Sequence, residues 1–325
     1  MLSKSRRARG EFAFLRSLFA KLPSAPDVVF GPGHDAARVR SGRRDWLLTV
    51  DSQFEGVHFK LPWLPMSALG RRSFRVAASD VSAMGGKARF VLLDCGVPEY
   101  VRLQALRRLE IALAREAKAW GACVIGGNLH RAAELGLSVT VVAEAPKTQL
   151  SRQGARLGDL VLVTGTLGDA SLCVRLLTSR GACPPLLLRR WRLPPRRDEI
   201  GRGLANARLA SAMIDVSDGL VQDLGHICEA SQVGAEVDAD RLPVSSMYRK
   251  FCGSDLSLAL SGGEDYELLF TAPPRNLGRI KKLGSATGVE VTVIGRIVQG
   301  QGVVVRQGQG RLAVKQPGFD HFTPL

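Results

Sequence analysis

The chain has 325 residues, 45% hydrophobic and 23% charged, a balance that suits two globular domains, each able to bury its own core. No apolar run reaches the roughly 20 residues that span a bilayer, and the basic start MLSKSRRARGEF lacks the apolar core and cleavage site of a secretory signal. The net charge of +15 is gathered in short clusters (Arg6, Arg7 and Arg9; Arg71, Arg72 and Arg75; LLRRWRLPPRR at 187–197) without interleaved aromatics, which argues against nucleic acid and for solvated surface with some phosphate contacts. Six cysteines (Cys95, Cys123, Cys173, Cys183, Cys228, Cys252) form no C-x-x-C pair, as expected of reduced thiols in a cytoplasm.

In chain order, WLLTVD (46–51) is predicted as a strand ending in an acid, Met66 to Met84 as a helix, RFVLLDCGV (89–97) as a strand and residues 102–120 as an amphipathic helix. ACVIGG and LSVTVVAEA read as strands, and VIGGNLHR (124–131) as a strand running into a glycine hinge. A polar, Gly- and Pro-containing break falls at 145–159, so the expected domains are 1–148 and 149–325. DLVLVTGTLGDA restarts a strand–turn–helix rhythm. A helix near 198–211, a strand at SAMID and a helix from Gly219 to Ser231 follow. SLALS and YELLFTAP read as strands, NLGRIKKLGSATG as a helix, and EVTVIGRIV, GVVVR and RLAVK as closing strands. The pattern is α+β in two domains, with a mixed sheet expected in the second.

Acids recur where apolar runs meet small-residue loops: Asp35 in GPGHDAA, Asp51 in LLTVDS, Asp80 in RVAASDVSAMGG, Asp215 and Asp218 in MIDVSDGL, and Glu264 and Asp265 in SGGEDYELLF. One such acid is ordinary turn or capping chemistry. Their repetition points to Mg²⁺-assisted handling of phosphate, since Mg²⁺ takes carboxylates together with substrate phosphates and glycine loops admit phosphate oxygens to backbone N–H groups. Neither a Walker-type nor a kinase-type glycine loop is present.

GEF at 10–12, G-x-G-x-D at 31–35, VDSQFEGVHF at 50–59, SDVSAMGG at 79–86, IGG at 125–127, IDVSDGLVQDLGHI at 214–227, SGGEDYELLF at 261–270 and GFDHF at 318–322 occur in an order that resembles the thiamine-monophosphate kinase family. That family belongs to the aminoimidazole-ribonucleotide synthetase-like superfamily. The resemblance implies a homodimer joined through a β-barrel-like interface of N-terminal domains. It also implies ATP in a cleft toward the C-terminal domain, and ATP-dependent phosphorylation of thiamine monophosphate with several Mg²⁺ ions and no covalent intermediate. Position by position it assigns Asp35, Thr49, Asp51, Asp80, Asp215 and Asp218 to metal. It assigns Gly127, Arg152 and Ser217 to ATP, and His58, Glu264 and Phe319 to the substrate.

The chain departs from the family pattern at four places. G-D-D reads Gly33-His34-Asp35, S/T-T-D reads Thr49-Val50-Asp51, and G-G-D-T reads Gly127-Asn128-Leu129. The basic H-x-x-P-x-P-R segment survives as Trp191, Pro194 and Arg197. The positions of Val50, Asp51 and Asn128 jointly hold one Mg²⁺ beside ATP in the family, so Asn128 offers metal and ATP a neutral carbonyl in place of an acid. Three functions stay open: a thiamine-monophosphate kinase with an altered metal site, a related ATP-dependent enzyme with another substrate, and a non-enzymatic dimer that binds nucleotide or thiamine phosphates. The intact Glu264 and Phe319 favour the first over the second.

Overall fold

A computed structural model describes residues 11–19, 21–180 and 182–320. Arg6, Arg7, Arg9, Gly10, His321 and Phe322, all parts of motifs or clusters named above, lie outside the described residues. Strand β3 (Arg44–Phe54) alternates over much of its length: Leu47, Thr49 and Gln53 are buried while Leu48, Val50 and Phe54 are exposed. Around it β1 (Val28–Phe30), β2 (Ala37–Ser41), β4 (Lys87–Val97), β5 (Cys123–Arg131) and β6 (Gly136–Glu144) build a six-stranded sheet in the order β1-β2-β3-β6-β4-β5. Only β4 and β5 pair in parallel, as their connection through helix α3 (Leu103–Ala119) requires.

One face of this sheet is covered by α2 (Met66–Ala83) and α3. The two helices approach so closely that a Cβ on Gly70 would lie 2.2 Å from the Leu109 carbonyl oxygen. Helix α2 is buried almost all round, with Leu69, Phe74, Val76, Ala77, Ala78 and Val81 fully covered. Such a helix sits between layers, not on a surface. Its far side meets the second half of the chain, where Gly201 allows the Ser82 carbonyl to within 2.3 Å of where a Cβ would stand.

The second sheet has seven strands in the order β13-β12-β9-β11-β7-β10-β8. These are β7 (Leu160–Thr164), β8 (Ala212–Asp215), β9 (Gly234–Asp238), β10 (Leu268–Ala272), β11 (Val291–Val298), β12 (Gly302–Gln307) and β13 (Gly310–Leu312). It is mixed: β12 and β9 are parallel and the other pairs antiparallel. The helices of this half are α4 (Asp169–Arg180), α5 (Pro185–Arg192), α6 (Asp198–Asn206), α7 (Leu220–Ser231), α8 (Ser246–Cys252), α9 (Ser257–Ser261) and α10 (Leu277–Thr287); α1 (Glu11–Phe19) precedes the first sheet. No helix among the described residues is long and apolar enough to cross a membrane.

Two sequence expectations are corrected. SLALS is helix α9, not a strand: Asp255 accepts the Ser257 N–H at 2.9 Å and starts a turn that buries the adjacent Ala259 and Leu260. Five residues are too few for periodicity to separate the two forms. VIGGNLHR contains no hinge. β5 stays paired with β4 through Gly126-Gly127 to Arg131, with one extra residue, Ile125, at a register shift before Gly126, and Gly127 is needed because a Cβ there would lie 2.0 Å from the Leu93 carbonyl oxygen of β4.

Candidate active site

Three acids from three separate elements converge where the two halves meet. Asp35 ends the G-x-G-x-D loop, turned by Gly33 at φ +108°; Asp80 lies on α2; and Asp215 closes β8. One carboxylate oxygen of each lies within 4.8 Å of the others. The Thr49 hydroxyl donates to Asp80 Oδ2 at 2.5 Å, and the Ser79 hydroxyl donates to Asp215 Oδ2 at 2.5 Å. Arg152 forks onto Asp35 Oδ1 through Nη2 at 2.6 Å and Nε at 3.0 Å. The second oxygen of Asp35 is buried without a hydrogen-bond partner among the described residues.

The cluster carries more negative charge than one arginine offsets, and its protonation equilibria show it. Loss of water pushes Asp215 up to about 7, with Asp35 adding to the push while Ser79 and Arg152 oppose it. Asp80 stands well above the ordinary carboxylate range, through burial first and then the charges of Asp215, Asp51 and Asp35. Burial holds the neighbouring His34 imidazole below its usual value, so at pH 7 it is mostly neutral and brings little charge for phosphate.

Asp51 on β3 links this cluster to a cavity of about 410 Å³. Its carboxyl is pushed up to about 6, chiefly by loss of water, while the Ser52 N–H at 2.6 Å and the charge of Arg72 pull the other way. Ser217 and Asp218 line the same cavity from the β8–α7 loop. That loop is shaped by Asp223, whose Oδ2 accepts the backbone N–H groups of Ser217, Asp218 and Gly219 at 3.1, 3.2 and 3.0 Å. Phe319 is stitched to the loop by its own N–H, which donates to the Asp218 carbonyl at 3.0 Å, and by Gln222, which donates to the Phe319 carbonyl at 2.7 Å.

The cavity's far walls are aromatic: Phe59, Trp63, Trp191, Tyr266 and Phe319 surround His58, Lys60 and Glu264. His58 Nδ1 accepts the Phe54 N–H at 3.0 Å, which leaves the ring's proton on Nε2 in the neutral form. Nine of the sequence-assigned residues are thus assembled around one junction: Asp35, Asp51, Asp80, Asp215, Ser217, Asp218, His58, Glu264 and Phe319, with Thr49 and Arg152 bonded to its acids.

Gly127 and Asn128 are elsewhere. In the cross-strand register Asp51 lies opposite Val139, Val139 opposite Leu93, and Leu93 opposite Gly127, so three strand spacings, about 14 Å, separate β5 from Asp51. Asn128 instead donates to Asp94 Oδ1 at 3.0 Å on the uncovered face of the sheet. Val50 also points to that face and is 62% exposed, away from Thr49 and Asp51 on the same strand. Its side chain therefore takes nothing from the carboxylate cluster. Sequence reading passed over Arg72, Asp223, Trp63 and Tyr266. For Asp223 a signal existed, since an acid a turn beyond Ser-Asp-Gly is placed to gather the loop's N–H groups.

Residues 33–145 match the family described as AIR synthase related protein, N-terminal domain, and residues 156–308 match its C-terminal domain. The chain is 34% identical over 298 residues to a thiamine-monophosphate kinase of Aquifex aeolicus (strain VF5), covering 89% of this chain and 92% of that protein. It is 35% identical over 329 residues to the thiamine-monophosphate kinase of Salmonella typhimurium, covering 97% and 99%. A solved structure described as AaThiL complexed with AMPPCP and TMP superposes with a TM-score of 0.85 at 32% identity, covering 99% of this chain and all of that one. With both halves matched and these identities running nearly end to end, the chain belongs to the thiamine-monophosphate kinase family of AIR synthase related proteins.

Proposed function

We propose that this chain phosphorylates thiamine monophosphate with ATP, giving thiamine diphosphate by direct transfer without a covalent enzyme intermediate. The observation that carries the reading is the junction itself. Asp51, Ser217 and Asp218 join a buried carboxylate cluster to an aromatic cavity, so one end suits phosphate and metal and the other suits a ring. The activity for which the matched relatives are named, and the AMPPCP and TMP in the matched structure, support the same pair of substrates.

The donor set fits Mg²⁺: three carboxylates converge, one buried oxygen lacks a partner among the described residues, and hard oxygen ligands are what the ion takes. Asp35, Asp80 and Asp215 would hold it, with Thr49, Asp51 and Asp218 as further oxygen donors for additional ions. When bound, Mg²⁺ neutralises phosphate oxygens and so favours in-line transfer. Arg152 turns its forked N–H groups from Asp35 to the nucleotide phosphates. The Asp223-held loop presents Ser217 to ATP, and His58, Glu264 and Phe319 fix the acceptor's rings so that its phosphate faces the cluster.

We read residues 1–148 as the ATP-, metal- and dimer-forming domain and 149–325 as the domain that completes both substrate sites. The homodimer reading is supported by the uncovered outer sheet face, where Leu48, Val50, Phe54, Leu92 and Ile125 are each 36% to 62% exposed. Gly127 and Asn128 lie on the same sheet, and pairing through that face lets them serve the partner's nucleotide. Six free thiols support a reducing, cytoplasmic setting. The test is purified protein with Mg²⁺, ATP and thiamine monophosphate, with thiamine diphosphate measured directly. Product above that of an Asp51→Ala control is expected, and its absence overturns the reading.

A further inference from the structure

Arg72 is a fully buried arginine, and it sits against the substrate cavity. From α2 it donates through Nε to Gln53 Oε1 at 3.0 Å, through Nη1 to the Trp191 carbonyl and through Nη2 to Glu264 Oε1. Its guanidinium lies 5.0 Å from the Trp191 ring centre and 5.9 Å from that of Tyr266. The other Glu264 oxygen, Oε2, accepts the Trp191 indole N–H at 2.6 Å. Each oxygen of one carboxylate is thus met from the protein side by a different donor.

The backbone adds a third constraint. Glu264 is held at φ +71° and Tyr266 at φ +50°, and the Glu264 N–H donates to the Ser217 carbonyl at 2.7 Å. Non-glycine residues persist in this region where their surroundings over-determine them. A carboxylate offers about four lone-pair directions. Two are taken here, and the side chain remains 24% exposed where it lines the cavity. The directions left over point to ligand, not to protein.

We propose that Arg72 and Trp191 are positioning residues: they clamp Glu264 in one orientation, and that orientation selects a planar heteroaromatic ring carrying positive charge or an exocyclic amine. The inference rests on the thiamine monophosphate reading of the same cavity and adds to it the pair that fixes its acid. Arg72 neutralises Glu264 only in part toward the cavity, because it approaches from behind. Phe319, which also lines the cavity, adds π surface that a cationic ring favours, while the Trp63 ring already carries Lys60 Nζ at 4.9 Å from its centre.

Trp191→Phe removes the N–H and keeps the ring. It is expected to raise KM for thiamine monophosphate about tenfold, the worth of one hydrogen bond to a charged group, while KM for ATP stays within about twofold. Trp191→His, which can return an N–H, is expected to recover most of the loss. Equal rises in both KM values, or an unchanged KM for thiamine monophosphate in folded Trp191→Phe, overturn the proposal. Arg72→Lys is expected to raise the same KM further, and should it not fold, the Trp191 pair of variants still decides.

A ligand-free measurement separates the clamp from the function. In protein labelled with ¹⁵N-tryptophan, the Trp191 indole signal, assigned by its loss in Trp191→Phe, is expected to shift when Glu264 becomes Gln. No shift overturns the clamp. If the wild-type protein makes no thiamine diphosphate, the function reading fails on its own and the indole signal alone decides the clamp.

Discussion

Removing the charge of Asp215 should stabilise the metal-free protein above neutral pH and abolish much of its response to Mg²⁺. Asp215 is 3% exposed and faces Asp35 and Asp80. Its carboxyl moves from the ordinary 3.8 to about 7, mainly through loss of water. An acid raised in the folded state holds a proton there that the unfolded chain has already released. Stability is therefore full below about pH 4, declines as pH rises toward 7 and is flat beyond, a total loss of roughly 4 kcal/mol. That is a large share of a typical domain's stability. A bound divalent cation takes the proton's place, so its stabilisation should grow with pH. Asp215→Asn keeps the shape and still accepts the Ser79 hydroxyl. Urea unfolding at pH 5 and pH 8, with EDTA or with Mg²⁺, should show the variant more stable than wild type in EDTA at pH 8, by less than half as much at pH 5, and barely responsive to Mg²⁺. A variant no more stable than wild type at pH 8 in EDTA, or an equal Mg²⁺ effect on both, would refute the reasoning.

Arg152→Gln should lower metal-free stability by about 3 kcal/mol, since it leaves Asp35 uncompensated, and Mg²⁺ should restore more than it does in wild type; equal urea midpoints would show that this pair is not what offsets the cluster. Val50→Glu places a charge on the uncovered sheet face and should yield a monomer by light scattering, and a persisting dimer would move the interface elsewhere. Asn128→Asp sets a carboxylate opposite Asp94 on the paired strand. Its melting temperature should fall modestly without divalent cation, by the ~0.2–1 kcal/mol of a like-charge cross-strand pair, and recover with Mg²⁺ and ATP; no dependence on Mg²⁺ would remove Asn128 from the nucleotide site.

What could be read from residues alone depended on how many residues carried the signal. The alternation of β3 and the long stripe of α3 are spread over 11 and 17 residues, and both elements fell where periodicity put them. Helix α5 was read only as a basic cluster. Its two buried residues, Leu187 and Trp191, are four apart among arginines, and the charges hide that spacing. Asp51 and Asp215 announced themselves at the ends of apolar runs, and Asp80 through the small residues and Gly85-Gly86 that follow it, although it lies inside helix α2 and not in a loop. Arg72 was invisible for the opposite reason: Arg71, Arg72 and Arg75 read as one solvated face, yet Arg72 is fully buried and Arg71 partly exposed. Gly126-Gly127 marked a close approach, which is true of Gly127, but two glycines do not say whether the chain bends there or a neighbouring strand comes near.

Some of the arginines lie inside the molecule on matching acids: Arg38 pairs with Asp45, Arg75 with Glu116, and Arg190 and Arg197 with the fully buried Glu267. The Glu267 group ties α5, and with it Trp191, to β7 through the Thr164 hydroxyl. Against this background the two ends of the active-site junction differ in kind. At the aromatic end, Glu264 meets one fully buried arginine, Arg72, on its protein side. At the carboxylate end, Asp35, Asp80 and Asp215 converge, and Asp35 alone of the three has an arginine ion pair among the described residues. Glu116 and Glu267 are each met by two arginines, whereas this set of three acids has one ion pair among the described residues, from Arg152 to Asp35. The raised affinity of Asp80 and Asp215 for protons offsets part of that charge, and the divalent cations proposed above would take the protons' place together with phosphate. On the function proposed above, the acids left without an arginine of their own would take metal and nucleotide phosphate, and Glu264, held by Arg72, would face the ring.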